Sequence, residues 1–214
     1  MEEKIAILAI AALPALLGIA LHEAAHAYAA RYFGDPTAER LGRISLNPLR
    51  HIDPVGTVLL PSLLFLSTGF LFGYAKPVPV DFRRLRHPKR DMLWVAAAGP
   101  AANLFMALGW AFFQMLLVSM PASGYSQALM EMSYFGILIN LVLCFLNLIP
   151  LPPLDGGRIV TSLLPMPLAR HYVRLEPFGL VILVLLLMSG LLGFLLGPLV
   201  TWAFRFLRFL FPLS

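Results

Sequence analysis

Six apolar stretches dominate the chain, at residues 5–33, 55–74, 92–120, 132–149, 178–196 and 199–213, and the connections between them are short. A helix needs about 20 apolar residues to cross a hydrocarbon core about 30 Å thick, so runs of this length point to a bilayer as the solvent. Composition agrees. Of the 214 residues 59% are hydrophobic and 13% charged, with a mean hydropathy of +0.82, whereas a soluble domain carries about 25% charged residues. The expected fold is an all-α polytopic membrane protein with about four to six transmembrane helices. Residues 1–214 read as a single membrane-embedded domain, with no stretch left over for a sizeable soluble one.

The formal charge of +5 does not read as a nucleic-acid footprint, because the basic residues sit in short segments between the apolar runs, as membrane-flanking residues do. The lipid bilayer is the expected partner and nucleic acid is not. The connection 34–54 carries Arg40, Arg43 and Arg50, and the connection 76–90 carries Lys76, Arg83, Arg84, Arg86, Lys89 and Arg90, so both read as cytoplasmic. The connection 121–131 has no Lys or Arg and reads as lying on the opposite side. Stretch 55–74 has basic flanks at both ends, which fits a re-entrant segment broken at Pro61, Gly69 and Gly73. Residues 178–213 exceed one helix, with Gly190, Gly193, Gly197 and Pro198 as expected breaks and Trp202, Arg205 and Arg208 suggesting an interfacial helix or a short final span. The single cysteine, Cys144, excludes an internal disulfide and reads as core. The acidic leader Glu2-Glu3 and the long run after it argue against a cleaved signal peptide.

Within the first stretch, His22-Glu23-Ala24-Ala25-His26 interrupts a run of Ala, Leu and Ile. Histidines at i and i+4 share one helix face and can bind one metal ion, a zinc clamp, and the glutamate beside the first is placed to act as a general base on a metal-activated water. By residue frequency the pattern arises by accident in on the order of one chain in a hundred of this length. Its setting counts further against accident, since ionisable groups at membrane depth are costly and usually functional.

A catalytic zinc site takes three protein ligands and leaves one position open, so a third ligand must come from elsewhere. Most of the eleven acidic residues lie in charged connections or at the termini. Asp155 alone follows directly from an apolar span, in a segment where Pro150, Pro152 and Pro153 break the helix and Gly156 and Gly157 allow close approach. Asp155 can also cap the helix that follows. For the histidines and Asp155 to meet at one depth, an even number of crossings must separate them. That agrees with a second stretch that does not cross.

With both elements in place the chain resembles the site-2 protease family of intramembrane zinc metalloproteases, which pair H-E-x-x-H with a later N-x-x-P-x-x-x-L-D-G. Asn147, Pro150, Leu154, Asp155 and Gly156 fill the second motif, Gly99-Pro100-Ala-Ala-Asn103 is similar to the family's G-P-x-x-N element, and residues 73–80 resemble a segment of its compact prokaryotic members. The resemblance spans roughly residues 15–160. It implies one Zn2+ held by His22, His26 and Asp155, Glu23 as general base and acid, and regulated intramembrane proteolysis of transmembrane or membrane-associated substrates. The expected location is the cell membrane, multi-pass, with the active site toward the cytoplasm. Many relatives carry a PDZ or CBS domain, for which no segment here is long enough.

Peptide hydrolysis also needs a donor for the oxyanion; Asn147 is the first candidate, with Asn103 and Asn140 as rivals, and interhelical hydrogen bonding accounts for each equally well. A substrate helix must unwind before attack, and residues 73–80 are a candidate border for an extended substrate, a plain cytoplasmic loop being the equal alternative; a small extended or hairpin element is expected in the fold. His51 and Asp53 read as turn capping rather than a second metal site, and His87 and His171 as solvated. The alternative functions are a membrane metal-ion transporter or a catalytically silent scaffold. Glu23 argues for the enzyme, because a transporter needs no base beside its ligands.

Overall fold

The structure, a computed structural model, describes residues 2–45, 47, 53–59, 62–63, 76–121 and 123–211. Its α-helices are α1 (Glu2–Tyr32), α2 (Thr37–Arg40), α3 (Pro88–Val118), α4 (Gly124–Asn147), α5 (Asp155–Leu163), α6 (Met166–Val173), α7 (Glu176–Met188) and α8 (Leu191–Leu210). Among the described residues four segments, in α1, α3, α4 and α8, are long and apolar enough to cross a membrane, and α6 with α7, bent by 61°, can make a fifth. The fold is all-α, and the four or five candidate spans among the described residues fall within the expected four to six. Among the described residues no β-strand forms, so the expected extended or hairpin element is not seen there. Pro77 and Pro79 remove the N–H groups a ladder would need at those positions. The expected re-entrant course of 55–74 lies largely outside the described residues.

Two element boundaries differ from the sequence pattern. The fourth apolar stretch begins at residue 132, yet α4 starts at Gly124. Ser123 Oγ accepts from Ser126 N–H at 3.2 Å and Ser126 Oγ accepts from Ser123 N–H at 2.8 Å, so a capping box supplies a start signal ahead of the apolar run. At the other end, Gly190 alone breaks the chain, with φ +74. Gly193, Gly197 and Pro198 lie inside an unbroken α8, correcting the expectation of breaks there. A proline forfeits one intrahelical bond. Here the helix is held by a buried stripe of Leu192, Leu196, Val200, Ala203 and Leu207, part of which packs against α3 and α4 with Ala107, Ala111, Ile137 and Leu141.

α3 is the centre of the bundle, touching α1, α4, α5 and α8, while α4 also contacts α1 and α8. Lipid is as apolar as leucine, so helices associate through close packing rather than by escape from water, and small residues at the interface permit that approach. The buried side of α1 consists of Ala11, Ala20, Ala24, Ala27 and Ala30 around the two histidines. On α3, Gly99 and Asn103 meet this side of α1, and Ala107 and Ala111 continue the small-residue stripe toward α4 and α8. An added methylene in such a seam costs about 1–3 kcal/mol in overpacking. Large side chains such as Phe105, Phe194 and Phe209 point outward instead.

Candidate metal centre

His22 and His26 sit one turn apart on the face of α1 that packs against α3, and both are buried. Their rings meet edge to face, with centroids 4.6 Å apart, and their Nε2 atoms are separated by 3.0 Å. The opposite nitrogen of each ring is fixed by a partner on α3. His26 Nδ1 lies 2.7 Å from the Val95 carbonyl, which can only accept, so this nitrogen carries the proton. His22 Nδ1 lies 2.6 Å from Asn103 Oδ1. The orientation of that amide follows from its other end, where Nδ2 donates to Gly18 O at 3.1 Å and to Asn140 Oδ1 at 3.0 Å. A neutral imidazole at either position thus carries its proton on Nδ1, and both Nε2 atoms then present lone pairs to the same point.

Asp155 opens α5, which follows the turn at the end of α4. Gly156 and Gly157 are required there: a Cβ on Gly156 would overlap the Leu148 and Ile149 carbonyls, and one on Gly157 would lie 2.5 Å from Pro152 N. α7 closes the turn from outside, with Gly179 against Pro152 O so tightly that no side chain fits between them. The fold delivers Asp155 Oδ2 to 3.2 Å from His22 Nε2 and 3.2 Å from His26 Nε2. That oxygen is buried and receives no hydrogen bond.

With neutral imidazoles and an ionised Asp155, these three atoms at 3.0–3.2 Å repel one another unless a cation lies between them. Tetrahedral Zn–N and Zn–O bonds of about 2.0–2.1 Å place ligand atoms about 3.3 Å apart, so the donor set and its spacing fit zinc. The outer hydrogen bonds to Asn103 and Val95 are the kind that orient ligating imidazoles. Gly99 of α3 leaves the required room, since a Cβ there would stand 2.6 Å from His22 Nε2 and closer still to His26 Nε2. Among the described residues no other group of His, Cys, Asp or Glu converges in this way.

The remaining candidates are placed as follows. Glu23 is half-buried, and its Oε2 accepts from the Val78 backbone N–H at 2.6 Å. Asn147 ends α4 and donates one amide proton to Leu143 O at 2.9 Å. Asn103, expected as a rival oxyanion donor, instead stands behind His22 with both amide protons engaged, which leaves nothing to offer a substrate. Asn140 is likewise held inside the bundle, donating to Gly136 O at 2.8 Å. Asp53 Oδ1 accepts from Val55 and Gly56 N–H, the expected turn capping, while His51 lies outside the described residues. His171 is exposed and bonds Pro167 O, and His87 precedes α3 as its N-cap. Sequence reasoning missed Gly99, Gly179 and Val78 as parts of the site. The only signals were Gly99 within G-P-x-x-N and Val78 between two prolines.

A buried zinc-compatible triad with a glutamate beside it, housed in helices long enough to cross a bilayer, defines a class: the membrane-embedded zinc metalloproteases. The model of Peptidase family M50 matches residues 115–190, which include Asp155 but not the histidines. YwhC of Bacillus subtilis, whose name describes it as a zinc metalloprotease, is 39% identical over 189 residues, covering 86% of this chain and 82% of that protein. Rip2 of Mycolicibacterium smegmatis, similarly named, is 31% identical over 196 residues, covering 89% of this chain and 71% of its own length. No solved structure matches the chain. The chain belongs to peptidase family M50, the site-2 proteases; it is a multi-pass membrane metalloprotease and zinc is its metal.

Proposed function

We propose that residues 1–214 act as one membrane-embedded protease domain that hydrolyses peptide bonds of transmembrane or membrane-associated substrates, in regulated intramembrane proteolysis, with the active site toward the cytoplasmic side. The observation that carries the proposal is the convergence of His22 Nε2, His26 Nε2 and Asp155 Oδ2 inside an apolar bundle. These three residues would hold one Zn2+, which when bound lowers the pKa of a coordinated water to about 7 and polarises a carbonyl. Glu23 takes the proton of the water that attacks the scissile carbonyl and returns it to the departing amine nitrogen. Asn103 and the Val95 carbonyl keep both imidazoles in the tautomer that offers Nε2. Asn147 spends one amide proton on Leu143 O and has a second for the developing oxyanion. The alanine face of α1 and the stripe on α3 exclude bulk water from behind the ligands. The cytoplasmic assignment rests on the Arg and Lys residues of connections 34–54 and 76–90, which adjoin the end of α1 that bears the site.

The test is Glu23→Gln in protein reconstituted with a membrane substrate. Zinc per chain stays unchanged, and cleavage falls by about 10²–10⁴-fold, the usual worth of a general base. Cleavage at the wild-type rate would overturn the mechanism.

A further inference from the structure

The connection between α1 and α3 returns to the site at residues 76–81, where it is pinned at three points. Arg43 Nη2 donates to Lys76 O at 3.1 Å, Val78 is buried beside Ala27, Ala38 and Ile44, and Asp81 N–H donates to the buried carboxylate of Asp35 at 2.7 Å. Between these anchors stand Pro77 and Pro79, which have no N–H and whose rings hold φ near about −65°. Val78 therefore supplies the one backbone donor between Lys76 and Val80, and that donor is directed at Glu23 Oε2, 2.6 Å away. A hydrogen bond this short to a carboxylate is of the charge-assisted kind, stronger than a neutral one. Glutamate has three freely turning side-chain torsions, so a carboxylate without an anchor would spread over several rotamers.

We propose that the Val78 backbone N–H is the positioning group for Glu23: it holds Oε2 and so fixes where Oε1 stands for proton transfer. The inference rests on the reading of Glu23 as the base. It gives residues 76–80 a task apart from bordering the substrate, because the central N–H of the segment is already engaged. The chain has solved by a main-chain contact what a side-chain orienter does in other base-assisted sites. No substitution of Val78 by another L-residue except proline removes the contact, and the flanking prolines keep it in register.

The decisive experiment replaces the residue 78 amide by an ester, by incorporating the α-hydroxy analogue of valine into the full chain, reconstituted with zinc and a membrane substrate. Removal of this one donor is expected to lower kcat by about tenfold to a hundredfold, with KM altered by less than about twofold. Zinc per chain should not change. Val78→Ala, which keeps the N–H and loses packing, should lose markedly less of kcat than the ester protein. A second readout does not depend on turnover: the Val78 amide proton, observed by 15N-selective NMR, should lie downfield and move upfield in Glu23→Gln. An ester protein with wild-type kcat would overturn the inference, as would equal losses in the ester and Val78→Ala proteins or an amide signal indifferent to Glu23→Gln. The Glu23→Gln protein separates the two claims. If it cleaves normally, the base assignment fails; if it is inactive while the ester protein is not, only the role of Val78 fails.

Discussion

The proposed ligands come from two regions built in opposite ways. His22 and His26 lie in the interior of α1, where one turn of a continuous hydrogen-bond ladder sets their spacing wherever the helix happens to sit. Asp155 stands at the end of a turn where Pro150, Pro152 and Pro153 withhold three N–H groups, leaving few internal bonds to define a shape. That turn takes its form from what packs on it, from Gly156 and Gly157 at the start of α5 and from Gly179 of α7 against Pro152. One region therefore carries its geometry in local periodicity, and the other borrows it from tertiary contacts. Damage to the first should come from blocking the space in front of the histidines. Damage to the second should come from moving its support.

The largest effect is expected at Gly99. A valine there places a Cβ within 2.6 Å of His22 Nε2, and zinc affinity by competition with a chelating dye should fall by about a hundredfold or more, with helix content by circular dichroism unchanged. Tight zinc binding by Gly99→Val would show that the metal does not lie between the imidazoles and α3. Next comes Gly179→Val, remote from any ligand. It should displace the turn from α7 and weaken zinc by about tenfold to a hundredfold, an effect that a self-sufficient turn would not show. Asn103→Leu removes the partner of His22 Nδ1 but leaves that of His26, a main-chain carbonyl, intact. A loss of about tenfold in zinc affinity is expected, recovered in large part by Asn103→Asp, since a carboxylate also accepts from imidazole. Equal affinity in all three proteins would remove Asn103 from the site. The smallest change is Ser123→Ala at the far end of α4. It should cost about 1 kcal/mol of stability in a thermal or denaturant unfolding assay, and a change in zinc affinity would contradict the independence of the two ends.

Much of the site was legible because its parts are locally encoded. Ionisable side chains inside an apolar run mark themselves by their cost, and the i, i+4 spacing states its geometry without reference to the rest of the fold. Asp155 was reachable by elimination, because few acids adjoin an apolar span. The role of Asn103 was not, since an asparagine in a membrane helix can serve a substrate, a ligand or a neighbouring helix equally well. Helix ends were read less well than helix interiors. The Ser123 capping box precedes the apolar pattern it serves, and Pro198 sits in a helix whose buried stripe outweighs one lost hydrogen bond.

By itself the sequence determined that the chain lives in a bilayer, that two histidines share a helix face with a glutamate beside them, and that an aspartate follows the fourth apolar stretch. Only the tertiary structure decided which nitrogen of each ring faces Asp155, that Gly99 leaves space in front of both rings, and that Val78 reaches Glu23. These contacts join residues 81, 69 and 55 positions apart. The physical reason is one of range. Helical periodicity fixes which residues share a face over a few turns, whereas the partner of that face is chosen by how small residues let whole helices approach, which no local pattern states.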